Sequence, residues 1–219
     1  KLENEKFDDL AVNLSLLLSN KKVIFVGGAL KGAGKTTMSS LISEILAKKG
    51  KKVLLIDTDY RRGDLHQMYD MKRPNMSDLT DENYDFSNCK TKRENLWLFS
   101  RPNKSSDAQV IAGFNEKFSL FLSRCKSNFD YVVIDSAPLL ALQQALIPYS
   151  LADLHIFVIE HKKTRVQEIE TLDKIISSFG KENNYLIYNK FVNNAGTYGY
   201  YDYYNYKYST KEYGYQSSE

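Results

Sequence analysis

Six short runs of consecutive apolar residues punctuate the chain, each long enough for a buried strand and too short for a buried helix. They are Val23-Ile24-Phe25-Val26, Val53-Leu54-Leu55-Ile56, Leu96-Trp97-Leu98-Phe99, Tyr131-Val132-Val133-Ile134, Leu154-His155-Ile156-Phe157-Val158-Ile159 and Tyr185-Leu186-Ile187-Tyr188. Between them the apolar positions recur at three and four. Phe7, Leu10, Ala11, Leu14, Leu17 and Leu18 predict an amphipathic helix over 7–18. Met38, Leu41, Ile42, Ile45 and Leu46 predict a second helix, stopped by Gly50. Val110, Ile111, Phe114, Phe118, Phe121 and Leu122 predict a third over 107–124, and a fourth over 165–179 closes at Gly180. Residues 64–95, with Pro74 and a polar stretch over 80–95, predict short helices and loops.

Strands that alternate with helices and are apolar on both faces predict an α/β fold, a mostly parallel sheet with helices on both sides. No internal repeat is present. Periodicity disappears from Asn193 onward, so the expected organisation is one domain over 1–192 and a tail over 193–219. With no apolar face to bury, the tail is expected to be flexible.

Composition changes this picture little. A chain of 219 residues, 42% hydrophobic, suffices for one sizeable α/β domain. Its 30 basic and 27 acidic residues give a net charge of +3, too even to point to nucleic acid. Cys89 and Cys125 have no metal-ligand or redox spacing, which fits a reducing compartment. No apolar run approaches the length of a membrane span, so the piece in hand reads as soluble. The charged opening Lys1-Leu2-Glu3-Asn4-Glu5-Lys6 is of the kind that follows a linker, and a domain of a longer protein is expected.

The first candidate chemistry lies between the first strand and the second helix. The stretch Gly27-Gly28-Ala29-Leu30-Lys31-Gly32-Ala33-Gly34-Lys35-Thr36-Thr37 fits the Walker A pattern from Ala29, with Ala in place of the first Gly. Gly32, Ala33 and Gly34 would present backbone amides to phosphate oxygens, together with Thr36 and Thr37 at the helix start. Lys35 would reach the β and γ phosphates of ATP, and the Thr36 hydroxyl would ligate Mg²⁺. The alternative is an ordinary Gly-rich strand-to-helix loop.

Three acids close other strands. Asp135 follows Val132-Val133-Ile134 in the Walker B form and would hold Mg²⁺. Asp57 and Asp59 share parity on an extended segment, so one can serve the metal and the other an incoming hydroxyl. The alternative for all three is solvated loop acids or helix caps. Asn189, at the end of the last strand, is an adenine reader or a turn residue.

Leu54-Leu55-Ile56-Asp57-Thr58-Asp59-Tyr60-Arg61 has the form hhhDxDxR, and Val132-Val133-Ile134-Asp135-Ser136-Ala137-Pro138 the form hhhDxxP. With the Walker A loop, these resemble the motifs of bacterial tyrosine kinases, the cytoplasmic domains of Wzc-like polysaccharide co-polymerases. The resemblance covers essentially the whole chain. It implies that Lys35 and Thr36 bind ATP·Mg²⁺, that Asp57 positions or deprotonates the acceptor hydroxyl, and that Asp59 and Asp135 serve the metal. Arg61 would touch phosphate or a neighbouring subunit. The implied setting is the cytoplasmic side of a bacterial inner membrane. The implied partners are other copies of the chain, polysaccharide export machinery and a tyrosine phosphatase, with no nucleic acid. The ExxRxxR assembly motif of the family is incomplete, since Asp8 and Ala11 stand where its arginines would follow Glu5.

Tyr198, Tyr200, Tyr201, Tyr203, Tyr204, Tyr206, Tyr208, Tyr213 and Tyr215 place nine of the 16 tyrosines in the tail. Beside a phosphoryl-transfer site they read as phosphoacceptors. The tail has only Lys207 and Lys211 as basic residues, which argues against stacking on nucleic acid. About 20 extended residues reach roughly 70 Å, far enough to enter a neighbour's site. The competing function is a partitioning or positioning ATPase. Such proteins carry a signature lysine five residues before the Walker lysine, where this chain has Leu30. A third reading is an ATP-bound scaffold. His155 is expected within a strand and His66 and His161 at the surface. Trp97 is expected in the core, and the run over 160–165 as a solvated loop.

Overall fold

The computed structural model describes residues 2–59, 65–71, 84–100, 114–141, 145–180 and 182–191. Six strands, β1 (Val23–Gly27), β2 (Val53–Asp57), β3 (Leu96–Phe99), β4 (Tyr131–Asp135), β5 (Leu154–Glu160) and β6 (Asn184–Asn189), form one sheet. All its pairings are parallel, in the order β3-β2-β4-β1-β5-β6. The helices are α1 (Leu2–Leu17), α2 (Lys35–Lys48), the single turn α3 (Leu65–Met68), α4 (Phe114–Asn128), α5 (Leu146–Leu151) and α6 (Val166–Ser178). A 3-10 turn spans Phe86–Cys89.

The chain divides into two units, Lys1–Asn189 and Lys190–Glu219. Of the second unit, Lys190 and Phe191 are described, and the nine tail tyrosines lie outside the described residues. Arg61 and the expected helical stretch over 107–113 also lie outside them.

The alternation of side chains along each strand sorts the core into two layers. Phe25, Leu54, Ile56, Val132, Ile134 and Phe157 pack with Phe118, Phe121 and Cys125 of α4, Tyr149 of α5 and Leu172 of α6. Ile24, Val26, Val53, Leu55, Val133 and Ile156 pack on the other face with Leu14 of α1 and Met38, Ile42 and Ile45 of α2. Both faces are covered, which is why the strands read as continuous apolar runs rather than alternating ones.

Five strands run one residue past their apolar runs, to Gly27, Asp57, Asp135, Glu160 and Asn189. The register pairs Asp57 with Asp135 and Glu160 with Asn189, so backbone pairing continues into polar residues that hydrophobicity alone leaves out. α5 is a helix that periodicity does not disclose, because six residues including Pro148 hold too few repeats. α4 ends at Asn128 rather than 124, its last turn continuing through the polar Lys126 and Ser127.

Phe121 is fully buried, its ring 4.5 Å from that of Phe99 and 6.1 Å from that of Phe86. Phe121→Ala removes this contact between α4 and the sheet and is expected to cost about 3–5 kcal/mol. Urea unfolding would read this as a lowered midpoint with an unchanged slope.

Candidate nucleotide site

The site forms at the carboxyl ends of β1, β2 and β4, three adjacent strands of the sheet's interior. Gly28 must lack a side chain, because a Cβ there would sit 2.8 Å from the Val158 carbonyl oxygen on β5. The loop then passes Gly32 (φ +88°) and Gly34 (φ +99°), left-handed positions that favour glycine, and enters α2 at Lys35. The first helical bond runs from Met38 N to Gly34 O at 2.9 Å. Its opening turn therefore has amides free of helical partners, facing the loop it grew from. The chain after β4 is stitched to the same loop: Leu139 N donates to Gly28 O at 3.0 Å and Leu140 N to Ala29 O at 3.2 Å.

Lys35 is 7% exposed, and its Nζ donates to the Leu30 carbonyl oxygen at 3.0 Å. Burial pushes its pKa down, while the charges of Asp135 and Asp59 act the other way. Thr36 is half-buried one residue on, and Thr37 is exposed on the same turn.

Asp57 and Asp135 end adjacent strands in register, and both are buried. Thr58 clamps the pair, its N and Oγ1 both donating to the Asp135 carbonyl oxygen at 2.9 and 2.8 Å. Asp57 Oδ1 accepts from Asp59 N at 3.0 Å, and the half-buried Asp59 lies near enough for its charge to act on Lys35. Burial raises the pKa of Asp135 to about 7; the Thr36 and Ser39 hydroxyls and the Lys35 charge oppose the rise.

Among the described residues, Asp135 Oδ1 is buried without a hydrogen-bond partner, beside the Thr36 hydroxyl. A buried carboxylate oxygen with spare acceptor capacity and a neighbouring hydroxyl are hard oxygen donors suited to Mg²⁺, which takes one or two protein ligands and completes its shell with phosphate and water. The residues present therefore fit that ion. No group of three or more His, Cys, Asp or Glu that could hold a metal by itself occurs among the described residues.

The structure thus gathers Lys35, Thr36, Asp57, Asp59 and Asp135 around one loop. Asn189 joins them from the end of β6: its Nδ2 donates to the Ala33 carbonyl oxygen at 2.8 Å, and a Cβ on Gly34 would come within 2.3 Å of that nitrogen. Its amide thus lies against the loop. Ser39 is a residue the motifs do not disclose. It is fully buried one turn beyond Thr36, facing Asp135. The sequence signal was the set Ser39, Ser40 and Ser43, polar residues on the core-facing side of an amphipathic helix.

His155 lies buried in β5, whereas His66 and His161 are half-buried rather than on the surface. His161 Nδ1 is held by the Tyr188 hydroxyl. Trp97 packs edge-on against Phe129 under the Lys52 ammonium, with no part in the site. No helix among the described residues is long and apolar enough to cross a membrane.

This architecture defines a P-loop α/β domain. Residues 21–188 match the AAA domain family, and the chain belongs to that family. It is 27% identical over 209 residues to the tyrosine-protein kinase CpsD of Streptococcus pneumoniae, covering 92% of this chain and 91% of that one. Longer tyrosine-protein kinases also match, and this chain spans about a quarter of their length. Among solved structures, the kinase domain of the Escherichia coli tyrosine kinase ETK superposes with a TM-score of 0.76 at 20% identity, over 89% of this chain and 79% of that one. The MinD cell division protein of Aquifex aeolicus superposes at 0.62 and 26% identity, over 78% and 70%. The resemblance to bacterial tyrosine kinases drawn from the motifs is thus borne out.

Proposed function

We propose that this chain is an ATP-dependent protein-tyrosine autokinase that phosphorylates the tyrosine cluster of its own tail, mainly between copies, and so regulates capsule or exopolysaccharide polymerisation and export. The observation that carries this reading is the meeting of Lys35 and Thr36, at the start of α2, with the buried acids Asp57 and Asp135 in register at the ends of β2 and β4.

In the proposed reaction the loop amides from Gly32 to Thr37 hold the phosphates, and Lys35 neutralises charge on the β and γ groups. A tail tyrosine oxygen forms a bond to the γ phosphorus as the bond to the ADP oxygen breaks. The tyrosine proton passes to Asp57. Thr36, Asp59 and Asp135 would hold Mg²⁺, which when bound supplies charge neutralisation at the phosphate oxygens. Arg61 would contact phosphate or a neighbouring subunit, and Asn189 the adenine edge. The domain over 1–192 is the catalytic unit and 193–219 the substrate, working at the cytoplasmic face of the bacterial inner membrane with export machinery and an opposing phosphatase. Each phosphotyrosine adds about −1.5 to −2 charges, enough to reverse a net charge of +3 and drive modified tails away from bound ATP.

A second reading, a nucleotide switch, has the MinD likeness in its favour. Leu30 stands where its signature lysine would be, and the tail has no use in it.

Purified protein incubated with Mg·ATP and mapped by mass spectrometry is expected to carry phosphate on tail tyrosines, lowered at least about 100-fold by Asp57→Asn. Lys35→Met protein mixed with an active, tail-deleted copy should be phosphorylated, because the reaction runs between chains. ATP turnover without protein phosphate would support the switch, and neither activity would support the scaffold.

A further inference from the structure

The loop between β5 and α6 reads in the sequence as a solvated basic run, Glu160-His161-Lys162-Lys163-Thr164-Arg165. In the structure it is a tight turn. Lys163 N and Thr164 N both donate to the Glu160 carbonyl oxygen, at 3.2 and 3.0 Å, and Glu160 N donates to Thr164 Oγ1 at 2.8 Å. Lys162 holds a left-handed φ of +57° to make the bend. The turn is also fastened toward the phosphate loop, since His161 N donates to Asn189 O at 3.0 Å and the Asn189 side chain in turn donates to Ala33 O.

That geometry places the Lys163 ammonium between two neighbours. On one side Glu160 Oε2 and Oε1 lie 3.3 and 3.4 Å away, on a carboxylate only 12% exposed. On the other, Nζ is 3.8 Å from the point a Cβ on Gly32 would occupy. Gly32 is the exposed, left-handed residue at the tip of the loop whose amides would cradle phosphate. A cation fixed by a short turn at that tip, with 67% of its side chain open to solvent, can leave its carboxylate for a stronger anion without unfolding anything.

We propose that Lys163 is a second phosphate-binding lysine of the site, which exchanges Glu160 for the polyphosphate of ATP or ADP when nucleotide binds. The inference rests on the nucleotide-site reading and adds to it a residue from outside the Walker motifs. Glu160 is then a competitor for the same ammonium, and its charge lowers nucleotide affinity in proportion to its hold on Lys163.

Dissociation constants of the whole chain for ATP, ADP and phosphate-free adenosine test this by calorimetry. Lys163→Ala is expected to weaken ATP and ADP by about three- to tenfold, a charge-assisted contact discounted for solvent exposure, and to leave adenosine unchanged. Raising the salt should shrink that difference. Lys163→Arg should stay within about twofold of the wild type, since it keeps the charge. Glu160→Gln should tighten ATP about two- to threefold, and only while Lys163 is present, so that the double variant binds like Lys163→Ala. ATP affinity unchanged in Lys163→Ala, or adenosine weakened as much as ATP, overturns the assignment of Lys163 while leaving the nucleotide site standing. A wild-type chain that binds no ATP at all overturns both.

Discussion

Lys35→Met is expected to lower tail phosphorylation by about a thousandfold or more, while the melting temperature of the nucleotide-free protein stays within a few degrees of the wild type. The two halves of this expectation have one cause. Lys35 is buried at the start of α2, and burial disfavours its charge enough to push its pKa down despite Asp135 and Asp59 nearby. Without nucleotide the ammonium is therefore held at a cost that its hydrogen bond to the Leu30 carbonyl offsets in part. Methionine fills the same space with a similar flexible stem, removes that desolvation cost and gives up the bond and the attraction to two acids, so the net change in stability is small. Phosphoryl transfer has no such substitute, because nothing else buried in the loop brings positive charge to the γ phosphate as it leaves. Mass spectrometry reads the first half and a thermal melt the second. A collapse of the melting temperature would make Lys35 a structural residue and strip the lost phosphorylation of its meaning.

The sheet was legible because its strands are buried on both faces: Val132-Val133-Ile134 and Leu54-Leu55-Ile56 announce themselves by unbroken hydrophobicity. The acids at their ends were legible for a related reason. A carboxylate directly after such a run has few structural uses, so Asp57 and Asp135 stand out against their flanks. What hydrophobicity could not convey was pairing across the sheet. That Asp57 lies in register with Asp135, and Glu160 with Asn189, depends on the strand order, in which β4 inserts between β2 and β1. The same long-range geometry hid Lys163. Residues 131 apart bring its ammonium beside Gly32, and no local pattern in either segment carries that information. Ser39 was hidden differently: a single hydroxyl on a core face looks like tolerance of a small polar residue until the carboxylate opposite it is known.

Asp135→Asn is expected to trade activity for stability, and to do so with a definite pH dependence. Burial raises the Asp135 pKa from an ordinary carboxylate value of 3.8 to about 7 in the folded chain. Between those values the folded protein keeps a proton that the unfolded chain has released, so stability falls as pH rises through the window from about 4 to 7 and levels off above it. At 1.36 kcal/mol per pH unit the full loss would be about 4 kcal/mol, and relaxation around the site makes about 1–2 kcal/mol the expected share. Asparagine keeps an oxygen for the Thr36 and Ser39 hydroxyls and carries no charge at any pH. In chelator, with no divalent ion present, the variant should therefore melt about 3–6 °C above the wild type at pH 8 and level with it near pH 4. With Mg·ATP the order reverses in function, since an amide is a poor ligand for a hard cation and phosphorylation should fall by about 100-fold or more. A variant less stable than the wild type at pH 8, or a gain of the same size at both pH values, would show that the buried charge of Asp135 does not destabilise the metal-free fold.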